Sequence, residues 1–364
     1  MNNIILSIIL CSKNDSYMGN TKWRLETSIN LALLNAKESN WLEKIEILVC
    51  DWGSEEPLQK VLSLVPEAEN TVKFLNVPPE VAKTEQKDSK FAEVIALNAV
   101  ARQARGTYIG RIDNDTIIGK EFYTNFWHVM NDKFKIDTED AFMFVERRMV
   151  PYRVSNKSWA LNNIRSYINW FGQYLKVETA VEWGKEFWWS PVGIMIFTNK
   201  IWKDTHGYDQ RFLYWGWMEG DLALRLGQKH QVVEFSKHIG HYFYHLEHYP
   251  SMTAYKDRNG PATPRKKNEP VFEGLNYTVN DKNWGLKNYE LKLLSYSINE
   301  VSEYKSPTIS SGIFEFLPEL IISIFQRKID NLRMSWRDDL KKITVHIKIF
   351  IGKYKRFLLE KIIQ

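Results

Sequence analysis

Short apolar runs alternate with segments of helical spacing along the first third of the chain. Four runs rich in apolar and β-branched residues predict strands at residues 4–11, 45–50, 72–77 and 107–112. Between them, the spacing of apolar positions predicts helices at residues 21–38, 57–64 and 91–104, and Gly106 ends the last helix. Strands that alternate with helices in this way are typical of an open α/β sheet flanked by helices.

The pattern becomes mixed after residue 120. Strand-like runs fall at residues 141–145, 192–197, 232–235 and 241–244, and a helix begins within residues 221–226. Residues 257–283 are polar and rich in Gly, Pro and Asn, which predicts a loop or a lid. From residue 313 onward the pattern is helical and increasingly basic. We therefore expect residues 1–120 and 121–300 to form two halves of one domain, followed by a helical basic extension at residues 301–364.

Polar side chains follow three of the predicted strands. Ser12 and Asn14 follow the first strand, Asp51 follows the second, and Asp113 and Asp115 follow the fourth. Ligands of open α/β sheets bind at the carboxyl ends of strands, so we expect these side chains at one edge. The last two form a DxD triplet, and Mg²⁺ or Mn²⁺ prefers carboxylate and diphosphate oxygens. The alternative for this triplet is an Asx-rich turn.

Composition and charge narrow the classes of function. The 364 residues are 44% hydrophobic and 26% charged, which is typical of a globular chain with a sizeable core. The formal net charge is +5, but residues 327–364 hold eleven Lys or Arg against four Asp or Glu. The rest of the chain therefore lacks the basic face of a nucleic-acid-binding domain. The two cysteines, Cys11 and Cys50, end apolar runs and predict buried thiols, not a disulfide framework or a zinc site.

The ends of the chain bear on its location. The start lacks a basic segment and a cleavage site, and no apolar run approaches about eighteen residues, so we expect a cytoplasmic protein. The basic amphipathic tail could lie on an anionic membrane surface, as a peripheral protein on the inner face of the membrane. Its alternative is a helix that packs through its apolar side and keeps its basic side in solvent.

The polar motifs at the ends of the predicted strands resemble those of GT-A fold glycosyltransferases of the family 2 kind. Residues 50–54 (CDWGS) resemble the family's DDGS element, and residues 98–109 resemble the run that leads into its DxD triplet. The resemblance implies a GT-A fold, an open mixed sheet flanked by helices. It also implies that Asp51 contacts the donor nucleotide, and it adds Asn98 to the donor-binding candidates Ser12, Asn14 and Asp113.

Residues 207–226 resemble an element shared by family 2 enzymes and the β-1,4-galactosyltransferases. In that element, GfDE.F.gWG.EDxDLxxRL, an acidic residue removes the proton from the attacking hydroxyl. The gap-free part of the match puts Met218 at the family's Glu, Glu219 at the next Asp and Asp221 at the last Asp. The resemblance implies Glu219 as the catalytic base, with Asp221 as the second candidate, while Met218 removes one carboxylate. The alternative for both acids is a position in the first turn of a helix.

Residues 241–248 resemble the HlxH element near the end of such domains, where a histidine completes the metal shell. His245 and His248 are the candidates, and histidine suits Mn²⁺ beside carboxylates. Because they are three residues apart, both reach one ion only if the segment is turn-like or helical. The alternative is a hydrogen-bonded structural role. Residues 266–270 (KKNEP) resemble a stretch just past the metal ligand of the galactosyltransferases.

Aromatic residues around the second motif are candidates for binding the acceptor. The chain has 14 Trp, and flat apolar rings stack on the C–H faces of sugars. We therefore expect Trp189, Trp215 and Trp217 to bind the acceptor, together with Gly193, which resembles a family glycine beside the donor sugar. The alternative for the tryptophans is a core aromatic cluster.

Together the motifs predict a metal-dependent, inverting glycosyltransferase. We expect a nucleotide-sugar donor, specifically a UDP-sugar, a glycan or lipid-linked acceptor, and Mn²⁺ or Mg²⁺ held by Asp113, Asp115, His245 and His248. Two alternatives stay open. One is a sugar-binding module that kept the fold and lost catalysis, which the irregular 218–221 element allows. The other is a nucleotidyltransferase, which needs a Gly-rich basic loop after the first strand, whereas residues 12–19 hold one Gly and one Lys.

Overall fold

The computed structural model describes residues 4–17, 19–131, 136–178, 193–248 and 267–301. The chain divides into two compact units, Met1–Ile313 and Phe314–Gln364, and all described residues belong to the first. Residues 302–364 of the predicted helical extension lie outside the described residues, as does the predicted loop between residues 257 and 266. The division of the first unit at residue 120 stays a prediction.

Two β-sheets and surrounding helices make up the described residues. The strands are β1 (Leu6–Ser12), β2 (Ile45–Trp52), β3 (Val72–Val77), β4 (Tyr108–Ile112), β5 (Thr116–Ile118), β6 (Ala141–Phe144), β7 (Arg147–Val150), β8 (Val177–Glu178), β9 (Ile194–Thr198), β10 (Gln231–Glu234), β11 (Phe243–Leu246) and β12 (Leu293–Ser295). The helices are α1 (Thr21–Glu38), α2 (Leu58–Val61), α3 (Ala68–Thr71), α4 (Pro79–Gln86), α5 (Glu93–Ala101), α6 (Lys120–Met130), α7 (Tyr152–Ser155), α8 (Leu161–Phe171), α9 (Asn199–Thr205), α10 (Met218–Gly227) and α11 (Ser236–Ile239).

The larger sheet mixes parallel and antiparallel strands. Its described strands run in the order β10-β6-β9-β4-β1-β2-β3-β12. β1 pairs in parallel with β2 and β4, whereas β9 runs antiparallel to β4 and β6. The register places Ser12 beside Asp51, so the carboxyl ends of β1 and β2 meet at one edge. The predicted open mixed sheet flanked by helices is confirmed.

The central strands are buried on both faces of this sheet. Every residue of β1 and β2 is buried, which explains their continuous apolar runs. Successive side chains point to opposite faces, so Ile8 packs with α1 and α6 while Ile9 packs with α5, α9 and α10. In α5, every residue from Val94 to Ala101 is buried, because this helix is apolar on all sides.

A second, smaller sheet has the strand order β5-β11-β7-β8. β11 pairs antiparallel with β5, which sets His245 opposite Thr116, and it pairs in parallel with β7. The apolar pattern did not predict this sheet as a unit, because its strands are two to four residues long and β7 begins with two arginines. The strand predicted at residues 241–244 is shifted toward the carboxyl terminus, and this shift puts His245 inside β11.

Two further differences concern helices. The helix predicted at residues 57–64 is a single turn, α2, because Leu62 already has extended backbone geometry. The helix expected to begin at residue 221 starts earlier, at Met218. In the part of the chain that the structure describes, no helix is both long enough and apolar enough to cross a membrane.

Candidate active site

Three potential metal ligands come together just after β4. Oδ1 of Asp115 lies 3.1 Å from His245 Nδ1, and Oδ2 lies 3.1 Å from His248 Nδ1. One ligand atom from each residue lies within 4.8 Å of the others. The pairing of β5 with β11 brings His245 there, and the amide of Leu246 donates to Asp115 O at 2.8 Å. Because β11 ends at Leu246, His248 is free of strand geometry and also reaches the aspartate.

The chemistry of this cluster fits a divalent cation. Carboxylate and imidazole are suitable ligands for Mn²⁺. Nδ1 of His245 is buried and has no hydrogen-bonding partner among the described residues, although Asp115 lies 3.1 Å away. The two imidazole rings and the carboxylate thus present one ligand atom each to a common point. Burial acts to raise the pKa of Asp115, but His245 and His248 hold it well below its usual range, so the carboxylate is ionised.

Asp113 faces two arginines and not the histidines. Its Oδ1 lies 2.9 Å from Arg111 Nη1, and its Oδ2 accepts a hydrogen bond from Arg147 Nη1. The ligand group found among the described residues holds Asp115, His245 and His248 but not Asp113. Two guanidinium groups already compensate the Asp113 carboxylate, and its predicted contact with the metal stays a prediction.

Arg111 is a buried cation that joins three carboxylates. Its side chain is 2% exposed, and Nη1 faces Asp113. Nη2 lies 2.6 Å from Glu93 Oε1 and 3.3 Å from Glu219 Oε1. The side chains of Glu93 and Glu219 are 25% and 22% exposed, so the cluster opens to solvent on one side. Burial raises the pKa of both glutamates, because the charged form loses hydration.

The turn before α10 carries Glu219 into this cluster. Gly216 and Trp217 have positive φ angles of +94° and +72°. A bulky residue in this backbone region costs on the order of 1–3 kcal/mol, so its surroundings must hold it. Asn268 is fully buried, donates through Nδ2 to Tyr214 O at 2.6 Å and Gly216 O at 2.8 Å, and accepts from Tyr214 N at 3.2 Å. Asn268 therefore fixes the turn that positions Glu219.

Asp221 is buried and forms its hydrogen bonds within the protein, away from the charged cluster. It is 2% exposed, and its two oxygens accept hydrogen bonds from Arg225 Nε at 2.8 Å and Gly274 N at 3.0 Å. Arg225 also donates to Gly207 O at 3.0 Å. Asp221 and Arg225 together thus join α10 to two loops. Of the two acids predicted as the base, Glu219 is the one that lies in the partly open cluster.

Two predicted donor-binding side chains at the sheet edge are turned inward. Ser12 Oγ accepts a hydrogen bond from Asn114 Nδ2 at 3.1 Å. Asp51 accepts one from Ser54 Oγ and another from Leu58 N at 2.7 Å, so it caps α2. Ser12 and Asp51 are each 2% exposed, and a donor would reach them only by exchanging these bonds. Burial raises the pKa of Asp51.

Asn98 and Asn14, two further donor candidates, have different hydrogen-bonding partners. Asn98 is fully buried, donates to Tyr208 O at 2.8 Å and accepts from Tyr208 N at 2.9 Å. Its amide thus holds the turn at residues 207–208, and its contact with the donor stays a prediction. Asn14 is half-buried at the carboxyl end of β1, where its backbone amide donates to Ser54 Oγ at 2.8 Å.

Of the four predicted acceptor-binding residues, Gly193 lies beside this cluster. Gly193 has a φ of +78°, and a Cβ built on it would lie 2.1 Å from Asp113 Oδ2, so only glycine fits there. Trp215 and Trp217 are half-buried, and Trp217 packs on Phe272 with ring centroids 5.1 Å apart. Trp189 lies outside the described residues. Acceptor contacts by these residues stay a prediction.

Three charged residues of the cluster were not predicted: Glu93, Arg111 and Arg147. Arg111 had a visible signal, because it interrupts the apolar run of residues 107–112 and a lone charge inside a buried strand needs partners. Glu93 and Arg147 had none, since each looks like an ordinary charge at the start of a helix or strand. Only the fold brings them to the site.

Comparisons with known proteins give distant structural similarity. No protein-family model matches the chain. No curated protein matches it in sequence. Among solved structures, it is similar to S. aureus TarS 1-349, with a TM-score of 0.42 and 12% identity over 66% of this chain. The same TarS fragment in complex with UDP-GlcNAc gives a TM-score of 0.40 and 13% identity.

A third similar structure is the catalytic domain of Drosophila beta1,4galactosyltransferase 7 in complex with xylobiose. Its TM-score is 0.41 at 12% identity, covering 82% of this chain and 97% of that one. The chain spans only 60% of TarS 1-349, and 58% of it in the UDP-GlcNAc complex. Similarity this distant does not transfer a function, so the function must be argued from the side chains of the chain itself.

Proposed function

We propose that this protein is a metal-dependent glycosyltransferase. It moves a hexose or N-acetylhexosamine from a nucleotide-sugar, a UDP-sugar, to a hydroxyl of a glycan or lipid-linked acceptor, with inversion, in surface polysaccharide or glycoconjugate synthesis. The observation that carries the proposal is the pair of adjoining groups at one sheet edge. Asp115, His245 and His248 form a candidate cation site. The charged cluster that contains Glu219 adjoins it, because Asp113 belongs to that cluster and lies two residues before Asp115.

The donor side of the site is the edge around Asp115. Asp115, His245 and His248 would hold Mn²⁺ or Mg²⁺, which when bound neutralises charge on the diphosphate leaving group. The ionised state of Asp115 suits it to this role. Gly193 leaves room beside Asp113, because any larger residue would collide with that carboxylate.

The acceptor side of the site is Glu219. A general base must accept a proton from the attacking hydroxyl, and its pKa works best near the operating pH. Burial raises the pKa of Glu219 toward that range, while Arg111 keeps its carboxylate in a fixed position 3.3 Å away. Asp221 fits this role less well, because both of its oxygens are already bound inside the protein.

Donor binding and hydrolysis test the proposal directly. UDP-sugars incubated with the protein and Mn²⁺ should be hydrolysed slowly or transferred, and excess chelator should stop both. Asp115→Ala should abolish cation-dependent UDP binding, whereas Asp281→Ala, at an exposed aspartate, should not. UDP binding that is equally tight in chelator would overturn the role of the cation. Cation-dependent binding without any turnover would indicate the inactive module, and pyrophosphate release from a nucleoside triphosphate and a sugar phosphate would indicate the nucleotidyltransferase.

Substitution of the two acids of α10 tests the base. Glu219→Gln keeps size and hydrogen bonding but cannot accept the proton, so transfer should slow by about 10²–10⁴-fold with UDP affinity unchanged. Asp221→Asn should instead lower the melting temperature, because it weakens the bonds to Arg225 and Gly274. If Asp221→Asn loses turnover at wild-type stability while Glu219→Gln keeps it, Asp221 is the base.

We also propose that the basic segment 327–364 attaches the protein to an anionic membrane surface. The support is its charge of about +7, from eleven basic and four acidic residues, together with amphipathic spacing. Replacing Lys341, Lys342, Lys348 and Lys353 by Gln in the full chain should weaken binding to vesicles that contain phosphatidylglycerol, as should high salt. Turnover on a water-soluble acceptor should not change. Unchanged vesicle binding would contradict this proposal and favour the alternative, a helix that packs through its apolar side.

A further inference from the structure

We propose that Glu93 and Glu219 together hold two neighbouring hydroxyls of the acceptor, which is therefore a sugar with adjacent free hydroxyls and not an isolated alcohol. This inference rests on the proposed function, because it concerns the acceptor side of the same site. It assigns a substrate contact to Glu93, a residue that neither the DxD triplet nor the 215–226 motif contains.

The geometry places the two carboxylates side by side. One atom, Nη2 of Arg111, lies 2.6 Å from Glu93 Oε1 and 3.3 Å from Glu219 Oε1. The two glutamates come from different elements, Glu93 from the first turn of α5 and Glu219 from the first turn of α10. Both side chains are about one quarter exposed, at 25% and 22%, so each carboxylate has a part that a ligand can reach.

The position that the motif leaves without a carboxylate is adjacent. Met218 stands where a Glu precedes the base in the resembling element, and its side chain is 1% exposed within the core beside α5. Met218 therefore cannot contact the acceptor. Glu93 supplies a second negative charge beside Glu219 through the fold and not through the local sequence.

Hydroxyl groups match the polar atoms at this opening. A carboxylate only accepts hydrogen bonds and a guanidinium only donates them, whereas a hydroxyl does both. Arg111 is buried, so it holds the carboxylates in place and does not itself meet the ligand. Two adjacent hydroxyls could donate one hydrogen bond each to Glu93 and Glu219, which are both partly exposed. A ligand with a single hydroxyl would leave one carboxylate unused.

The substitution Glu93→Gln in the full-length protein tests this inference. Acceptors are p-nitrophenyl glycosides of glucose, galactose and xylose, with 2-phenylethanol as a single-hydroxyl comparison and a UDP-sugar that the wild type hydrolyses as donor. Loss of a hydrogen bond to a charged group should raise the KM for the glycoside about 10- to 100-fold. UDP affinity with Mn²⁺ should stay within about twofold, since donor binding does not need the acceptor hydroxyls.

Two further variants separate substrate contact from a structural role. Glu80→Gln makes the same change in the first turn of α4 at an exposed residue, so its acceptor KM should equal that of the wild type. Glu93→Asp keeps a negative charge beside Arg111 but shortens the side chain, so its melting temperature should fall less than that of Glu93→Gln while the acceptor KM still rises.

The outcomes are distinguishable. If the wild type neither binds UDP with Mn²⁺ nor hydrolyses any UDP-sugar, the proposed function fails and this inference fails with it. If hydrolysis occurs but Glu93→Gln and Glu93→Asp keep the wild-type acceptor KM, only the inference fails and Glu93 merely pairs with Arg111. It also fails if no glycoside accepts sugar, or if 2-phenylethanol serves as well as the glycosides.

Discussion

Replacing Arg111 with Met removes a buried cation that Glu93, Asp113 and Glu219 share. Methionine has a similar length and suits the apolar neighbours of β4, so the main loss is charge. Breaking a buried ion pair by removing one partner costs about 3–5 kcal/mol. The three carboxylates are 22–25% exposed, and solvent relieves part of their repulsion, so we expect the lower end of that range, about 3 kcal/mol at pH 8.

This loss should depend on pH in a defined direction. Burial already raises the pKa of Glu93 and Glu219 in the folded protein, and Arg111 acts in the opposite sense. Without Arg111 these folded-state pKa values rise further above those of the unfolded chain. The folded variant then binds more protons than the unfolded chain, so its stability is greatest at low pH and falls as pH rises through the folded pKa values. The deficit relative to the wild type should therefore be small near pH 4.5, the ordinary pKa of Glu, and should grow as the pH rises to 8.

Thermal melts at several pH values measure this effect. A loss of 3 kcal/mol should lower the melting temperature by roughly 6 °C at pH 8, at about 2 °C per kcal/mol for a chain of this size. Arg153→Met, at an exposed arginine of α7, is the matched control and should melt like the wild type at every pH. A deficit that is equal at pH 4.5 and pH 8 would show that Arg111 acts through packing and not through charge. A variant as stable as the wild type would refute the buried network itself.

The remaining predictions concern residues that position the charged cluster around Arg111 or belong to it. Asn268→Ala should lower the free energy of unfolding by about 2–3 kcal/mol and reduce turnover, because buried backbone carbonyls of the turn before Glu219 lose their hydrogen bonds. Asn131→Ala, at an exposed residue, should change neither stability nor turnover. Gly193→Ala should displace Asp113 and weaken UDP binding, which titration would detect; normal affinity would contradict the close approach. Because burial raises the pKa of Glu219, transfer should fall on the acid side through a pKa above 4.5, and a pH–rate profile without that limb would argue against this base.

The sequence predicted the elements that form one regular, continuous pattern. β3 and α1 have the predicted bounds, since buried strands and long helices impose their period on many residues. The small sheet escaped prediction because strands of two to four residues carry too little pattern. The residues of the site were likewise predicted only where they form a recognisable local pattern. Asp115, His245 and His248 stand in recognisable motifs, whereas Glu93 and Arg147 reach the cluster only through tertiary packing. Asn98 shows the converse, since a motif position proved to be a buried hydrogen-bonding residue.

The position of Asp115 has a consequence for the mechanical integrity of the protein. Asp115 precedes β5, and His245 lies in β11, so an ion held between them would act as a crosslink between segments far apart in the chain. Strands as short as these pair weakly by themselves. A ligand that binds only the assembled arrangement adds its binding free energy to the stability of that arrangement. The stability of the small sheet would then depend on the cation concentration. Amide hydrogen exchange in β7 and β8, which carry no metal ligand, should be slower when the cation is bound.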